Sequence, residues 1–190
     1  MKMKSLLFLL ALAVILQLAV PVAMIARREH VLRAGQPFKF RTAPVDPADA
    51  FRGRYVALSL DQRSVPVTAD QLFSNGDRVF ALLAEDADGF AHFTGLSRTQ
   101  PVARPFLATR ILYVSDTNAF LNLPFDRFYM EEGEAPAAET AYWQHSRRTN
   151  QTAYIQVRIQ NGFGVTENLF INDTPIRDFL AQQRIAETSR

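Results

Sequence analysis

The stretch Thr152-Ala153-Tyr154-Ile155-Gln156-Val157-Arg158-Ile159-Gln160, followed at once by Asn161-Gly162 and then by Phe163 to Ile171, decides the fold class. Ala153, Ile155, Val157 and Ile159 alternate with Tyr154, Gln156, Arg158 and Gln160, so one face of an extended chain is apolar and the other polar. Asn-Gly supplies the two positive φ values of a type I′ turn, whose twist matches that of the flanking strands. A hairpin with Phe163 to Ile171 as its second strand is therefore expected.

Working outward, Phe38 and Phe40 alternate with Lys39 and Arg41, the period of a half-buried strand. Arg54 to Asp61 carries Val56, Leu58 and Leu60 on one face. Arg78 to Ala84 and Phe90 to Thr94 flank Glu85-Asp86-Ala87-Asp88-Gly89, whose final Asp-Gly signals a second hairpin. Phe106 to Val114 is a further strand. Asp46-Pro47-Ala48-Asp49 has the pattern of an N-cap with proline at the first helical position, enough for one turn. Two helices are predicted: about Ala137 to Arg147, with Tyr142 and Trp143 on the packing side, and from Asp173-Thr174-Pro175 to about Ile185, with Ile176, Phe179, Leu180 and Ile185 at helical spacing. The expected class is α+β, a β-rich and mainly antiparallel domain with one or two covering helices.

Ahead of this domain, Ser5 to Ala26 runs without a charge. At ~1.5 Å per residue that is ~33 Å of helix, enough to cross a bilayer. The chain thus divides into a transmembrane segment, residues 1–26, and a domain, residues 27–190, with residues 5–26 meeting the lipid. Met1 to Lys4 followed by Leu6 to Leu18 has the charge order of a secretory signal. Cleavage after Ala23 or Ala26 would place Pro21 or Met24 where a small residue is needed, so a retained signal anchor is expected. Lys2 and Lys4 on one side face Arg27, Arg28 and Arg33 on the other; the signal-like order puts the N-terminus in the cytoplasm and the domain outside. Gln17, near mid-span, is a tolerated amide or a contact to a second helix.

Composition narrows the function classes. The chain has 21 Lys and Arg against 19 Asp and Glu, and Lys2 and Lys4 account for the difference, so the domain is neutral. Its arginines are scattered along the sequence, which argues against nucleic acid. A domain of this length buries roughly 70% of its unfolded surface. The absence of cysteine excludes disulfides, zinc thiolates and thiol nucleophiles.

Pro44-Val45-Asp46-Pro47-Ala48-Asp49-Ala50-Phe51-Arg52-Gly53-Arg54-Tyr55-Val56-Ala57-Leu58 resembles the bacterial family named for its GDYXXLXY motif. A second block, Pro124-Phe125-Asp126-Arg127-Phe128-Tyr129-Met130-Glu131-Glu132-Gly133-Glu134-Ala135, is similar to that family's aromatic and acidic segment, and the hairpin ending Leu169 to Asp173 is a third. Gly53, Tyr55 and Leu58 match the motif, whereas Arg54 stands in place of its Asp and Leu60 in place of its last Tyr. The resemblance implies a membrane-anchored protein associated with a multi-pass membrane partner, and with the anchor it sets the expectation of a bacterial inner membrane; it brings no activity or cofactor. Arg54 in place of an acid speaks against catalysis at the motif. The structural roles expected are a turn at Gly53, a buried ring with a bonded hydroxyl at Tyr55, and packing at Leu58. Arg127, Phe128, Tyr129, Glu131, Glu132 and Gly133 carry the second block.

No catalytic or metal-binding residues are assigned. Asp126, Glu131, Glu132, Glu134 and Glu139 have the composition of an acid/base pair, but a solvated loop with salt bridges to Arg147 and Arg148 explains them more simply. Asp86-Ala87-Asp88-Gly89 matches a fragment of a calcium loop without the downstream acidic ligand. His30, His92 and His145 lack metal spacing. Phe128, Tyr129, Tyr142 and Trp143 would line a groove or, more commonly, a core. Lys39, the only lysine of the domain, would be a desolvated base if Ser59 or Ser64 lay within about 3 Å of it. The expectation is a non-catalytic accessory or interaction protein; an extracytoplasmic hydrolase acting through Ser and Lys or through the carboxylates is the alternative.

Overall fold

The computed structural model describes residues 3–44, 55–68, 72–115, 117–147 and 151–188. In chain order the elements are α1 (Met3–Ala34), β1 (Gln36–Ala43), β2 (Tyr55–Ala57), β3 (Ser59–Leu60), β4 (Ser64–Pro66), β5 (Arg78–Glu85), β6 (Ala91–Ser97), β7 (Phe106–Ser115), β8 (Asn118–Leu121), β9 (Arg127–Tyr129), α2 (Ala135–His145), β10 (Ala153–Gln160), β11 (Phe163–Ile171), β12 (Thr174–Pro175) and α3 (Ile176–Thr188). The class is α+β, as the sequence predicts. The turn expected at Asp46 to Asp49 lies outside the described residues, as do Gly53, Arg54 and Arg148.

The terminal hairpin forms as expected. Asn161 and Gly162 have φ of 50° and 77°, and β10 pairs with β11 from Gln160↔Phe163 to Ala153↔Ile171. Its alternation places Ile155 and Val157 inside at 0% exposure. Strand β1 joins the other edge of β10, bringing Phe38 opposite Val157 and Phe40 opposite Ile155. The resulting sheet has the order β12-β11-β10-β1-β3, and a second five-stranded sheet has the order β4-β8-β7-β5-β6. Both contribute to a single core in which Phe40 meets Phe93 and Phe125 at 5.8 and 6.1 Å between ring centres. Isolated backbone bridges also link the sheets, Lys39 beside Phe90 and Leu107 beside Gly162.

Several details depart from the sequence expectation. The strand expected over Arg54 to Asp61 keeps its alternation, with Val56, Leu58 and Leu60 buried, but breaks at Leu58. Strand β2 pairs with β9, and β3 with β1; the Leu58 amide, donating to the Asp126 carbonyl (2.9 Å), is the last bond on the β9 side before the chain passes to β1. Asp173-Thr174-Pro175 does not open the last helix. Asn172 and Asp173 take φ of 49° and 59°, a second two-residue turn of the same hand, and β12 precedes α3. Trp143 is 39% exposed and Ile185 68% exposed. The packing side of α2 is Tyr142 with Ala135, Ala138 and Ala141, and on α3 Ile176 and Leu180 are the buried positions. Strands β4, β8 and β9 had no sequence signal, being three or four residues long.

Helix α1 does not end with its uncharged run. It continues through Arg27 to Ala34, and Phe8–Ala34 is long and apolar enough to cross a membrane. Proline at 21 removes the donor for the Gln17 carbonyl four residues back. At its far end the helix packs into the sheet: Val31 is 3% exposed, and the Arg27 guanidinium lies 4.0 Å from the centre of the Phe163 ring.

An irregularity in the terminal hairpin fastens this junction. Gln156 faces Asn168 and Val157 faces Thr166, so Glu167 is the extra residue of a bulge. Its carboxylate receives Arg158 Nε at 2.7 Å, Arg158 Nη2 at 3.1 Å and Gln156 Nε2 at 2.7 Å, while Arg158 Nη1 donates to the Gly35 carbonyl at 3.2 Å. Hydrogen bonding from Arg158 holds the Glu167 carboxyl below its ordinary value of 4.5. A carboxyl depressed in this way stabilises the fold fully above the unfolded value and ceases to do so as pH falls through the lower folded one. Glu167→Gln should therefore cost about 1 kcal/mol or less at pH 7, the pair being partly exposed. Thermal melts should show that gap close well below pH 4.5; a gap unchanged in acid would contradict the assignment.

Candidate functional site

The two sequence blocks that lie seventy residues apart are neighbours in space. Strand β2 pairs antiparallel with β9 in the register Tyr55↔Tyr129, Val56↔Phe128 and Ala57↔Arg127. Val56 and Phe128 point inward and are buried, which leaves Tyr55, Tyr129 and Arg127 together on the outer face. The tyrosine rings are 5.8 Å apart and tilted, and the Arg127 guanidinium lies 5.1 Å from the Tyr55 ring centre.

Tyr55 is half-buried, and its hydroxyl has no hydrogen-bond partner among the described residues. The buried, bonded phenol expected there is supplied instead by Tyr142 on α2. Its ring is 2% exposed, and its hydroxyl donates to the Ala43 carbonyl at 2.7 Å and accepts from the Ser59 amide at 3.2 Å. Burial pushes this phenol's pKa up. One side chain thus ties α2 to the ends of β1 and β3.

On the β9 side of this ribbon a cleft of about 1070 Å³ runs between β7 and β11 to the end of α1. Asp126, Arg127, Phe128 and Tyr129 form part of one wall, and Gly162 to Asn168 of β11 and its turn form the other. The rim carries Arg28, Arg78, Arg110, Arg127 and Arg177, all exposed. Sequence reading missed this convergence because each arginine comes from a different segment. Residues spaced this widely look scattered until the sheets bring them together.

The third block, the terminal hairpin, forms the opposite wall, so the second and third blocks line the cleft and the first is joined to the second through the pairing of β2 with β9. A family model described as "GDYXXLXY protein" matches residues 17–169. The chain belongs to the GDYXXLXY family. Neither a curated protein nor a solved structure matches it. Within the GDYXXLXY motif, Tyr55 to Ala57 is the paired strand and Leu58 is buried at the break. Leu60, in place of the last motif tyrosine, is core and faces Thr42 across β1 and β3.

The remaining candidates disperse. Lys39 Nζ lies over the Tyr154 ring at 5.2 Å from its centre. Ser59 Oγ donates to the Leu60 carbonyl at 3.4 Å, and Ser64 sits in β4 of the other sheet opposite Phe120. Lys39 makes no hydrogen bond to either serine, and neither Lys39, Glu131 nor Glu132 lines the cleft. Asp126 stands 3.5 Å from Arg127, and Glu134 pairs with Arg184 at 2.7 Å. Of the two arginines expected to pair with the acidic loop, Arg147 stacks on Trp143 at 3.4 Å from the ring centre, and Arg148 lies outside the described residues. Gly133 lies in the turn before α2, where the Glu134 and Ala135 amides both donate to the Glu131 carbonyl. In the Asp86 to Gly89 turn, Asp86 Oδ1 accepts from the Asp88 and Phe90 amides, and Arg41 bonds both carboxylates. The cation facing this turn is thus part of the chain. His145 Nδ1 meets Thr152 Oγ1 at 2.9 Å, His92 lies on β6, and His30 is on α1.

Proposed function

We propose that this is a membrane-anchored, non-catalytic accessory protein, retained by α1 at the outer face of a bacterial inner membrane and associated with a multi-pass membrane protein. The observation that carries this reading is the way α1 enters the domain: it runs unbroken to Ala34, buries Val31 against the sheet and is followed directly by β1. A flexible tether lets a domain sample solution, whereas a helix packed into its sheet holds the domain at a fixed height and angle above the lipid. That geometry suits a protein that acts by contact with something else in the same membrane.

The test is affinity isolation of the full chain from native-level membranes in mild detergent. A multi-pass membrane protein should co-purify in near-stoichiometric amount. Recovery of the intact chain alone, under conditions where other inner-membrane complexes survive, would overturn the reading.

A further inference from the structure

The arginine rim has a chemistry that anchoring does not use. It faces two carboxylates within the cleft, Asp126 and Glu167. Glu167 is already engaged by Arg158, which is not part of the lining, and Asp126 is only 3.5 Å from Arg127. Arg28, Arg78 and Arg177 form no ion pair among the described residues. Exposed guanidinium groups gathered around one cleft repel each other, and their planar forks match phosphate oxygens. Beneath them the floor is apolar, with Leu107, Phe128 and Val165 all buried.

The position of Arg28 selects the source of that phosphate. The uncharged run ends at Ala26, and two residues of helix carry Arg28 ~3 Å beyond it, inside the ~5–8 Å headgroup layer that borders the hydrocarbon. One end of the cleft therefore meets the bilayer at phosphate depth, whichever way the chain crosses. We propose that this cleft binds the headgroup of an anionic phospholipid from the membrane that α1 spans, the phosphate lying against Arg28, Arg78 and Arg177 and the glycerol end over the apolar floor. This rests on the reading that α1 is retained.

Native mass spectrometry of the intact full chain in detergent micelles tests it, with phosphatidylglycerol, phosphatidylcholine or glycerol 1-phosphate added at equal concentration. Phosphatidylglycerol should bind roughly tenfold or more tightly than phosphatidylcholine, and Arg78→Gln/Arg177→Gln should abolish that preference. Arg63→Gln/Arg104→Gln, which removes the same charge from exposed positions outside the cleft, should leave it in place. All of these positions are exposed, and unchanged melting temperatures would confirm that the variants fold. Equal binding of the two lipids, equal loss in both double variants, or glycerol 1-phosphate competing as well as the lipid would each overturn the proposal. The mass of the same sample shows whether residues 1–26 are present, so loss of the anchor is read separately from failure of the cleft to bind.

Discussion

Gly162→Ala lowers the unfolding free energy by about 2–4 kcal/mol, the sum expected for left-handed backbone strain and overpacking. Gly162 holds φ at 77° in the terminal turn, where a Cβ is disfavoured. A methyl group there would also come within 2.5 Å of the Phe106 ring and 3.0 Å of Ala108 Cβ. The residue cannot withdraw, because its carbonyl accepts the Ala108 amide at 2.9 Å and so joins the two large sheets. Asn161→Gly is the control: it has the same sign of φ, and glycine relieves strain there. Denaturation of the full chain in detergent, followed by Trp143 fluorescence, should separate the two variants clearly. Equal stability for Gly162→Ala and Asn161→Gly would mean that neither the turn geometry nor the close approach to β7 matters.

Phe125→Ala is expected to cost about 3–5 kcal/mol. Phe125 is 2% exposed and connects the blocks that bound the cleft. Its ring lies 6.1 Å from Phe40 on β1, and it packs so closely over Gly164 of β11 that a Cβ there would be 2.6 Å from Cζ. The next residue, Asp126, accepts the Leu58 amide, so the ring fixes the strand that carries Arg127 to Tyr129. Truncation should therefore loosen β9 as well as destabilise the whole, visible as new protease cleavage between residues 122 and 131. Trp143→Ala, which removes a larger but exposed ring stacked on Arg147, should cost about 1 kcal/mol or less. If the two substitutions prove equally mild, Phe125 does not hold the cleft wall in place.

These two positions show why some of the molecule is legible in the sequence and some is not. Asn161-Gly162 declares its turn because the required dihedral angles are a property of the residues themselves. Asn172-Asp173 adopts the same positive φ values, yet without glycine it resembles a helix cap followed by proline, and only the pairing of β12 onto β11 settles it. Phe125 stands before a charged pair in a loop, with no periodicity to mark it, so its place at the centre of the core depends on long-range contacts.

The candidate site divides in the same way. Tyr55 and the Arg127 to Tyr129 segment can be singled out as blocks, but their pairing across β2 and β9 depends on a break at Leu58 that local alternation conceals. The phenol with bonded backbone partners is Tyr142, not Tyr55, because α2 covers the point where β1 and β3 end.

The sequence alone determined the membrane-length apolar helix, the antiparallel hairpins and the inward faces of the long strands, since these follow from run length, residue-level turn preference and a period of two. Only the tertiary structure decided that α1 continues into the sheet and that five distant arginines share one cleft. Side-chain convergence is set by how twisted sheets stack and where their edges end, and that information belongs to pairs of residues far apart in the chain.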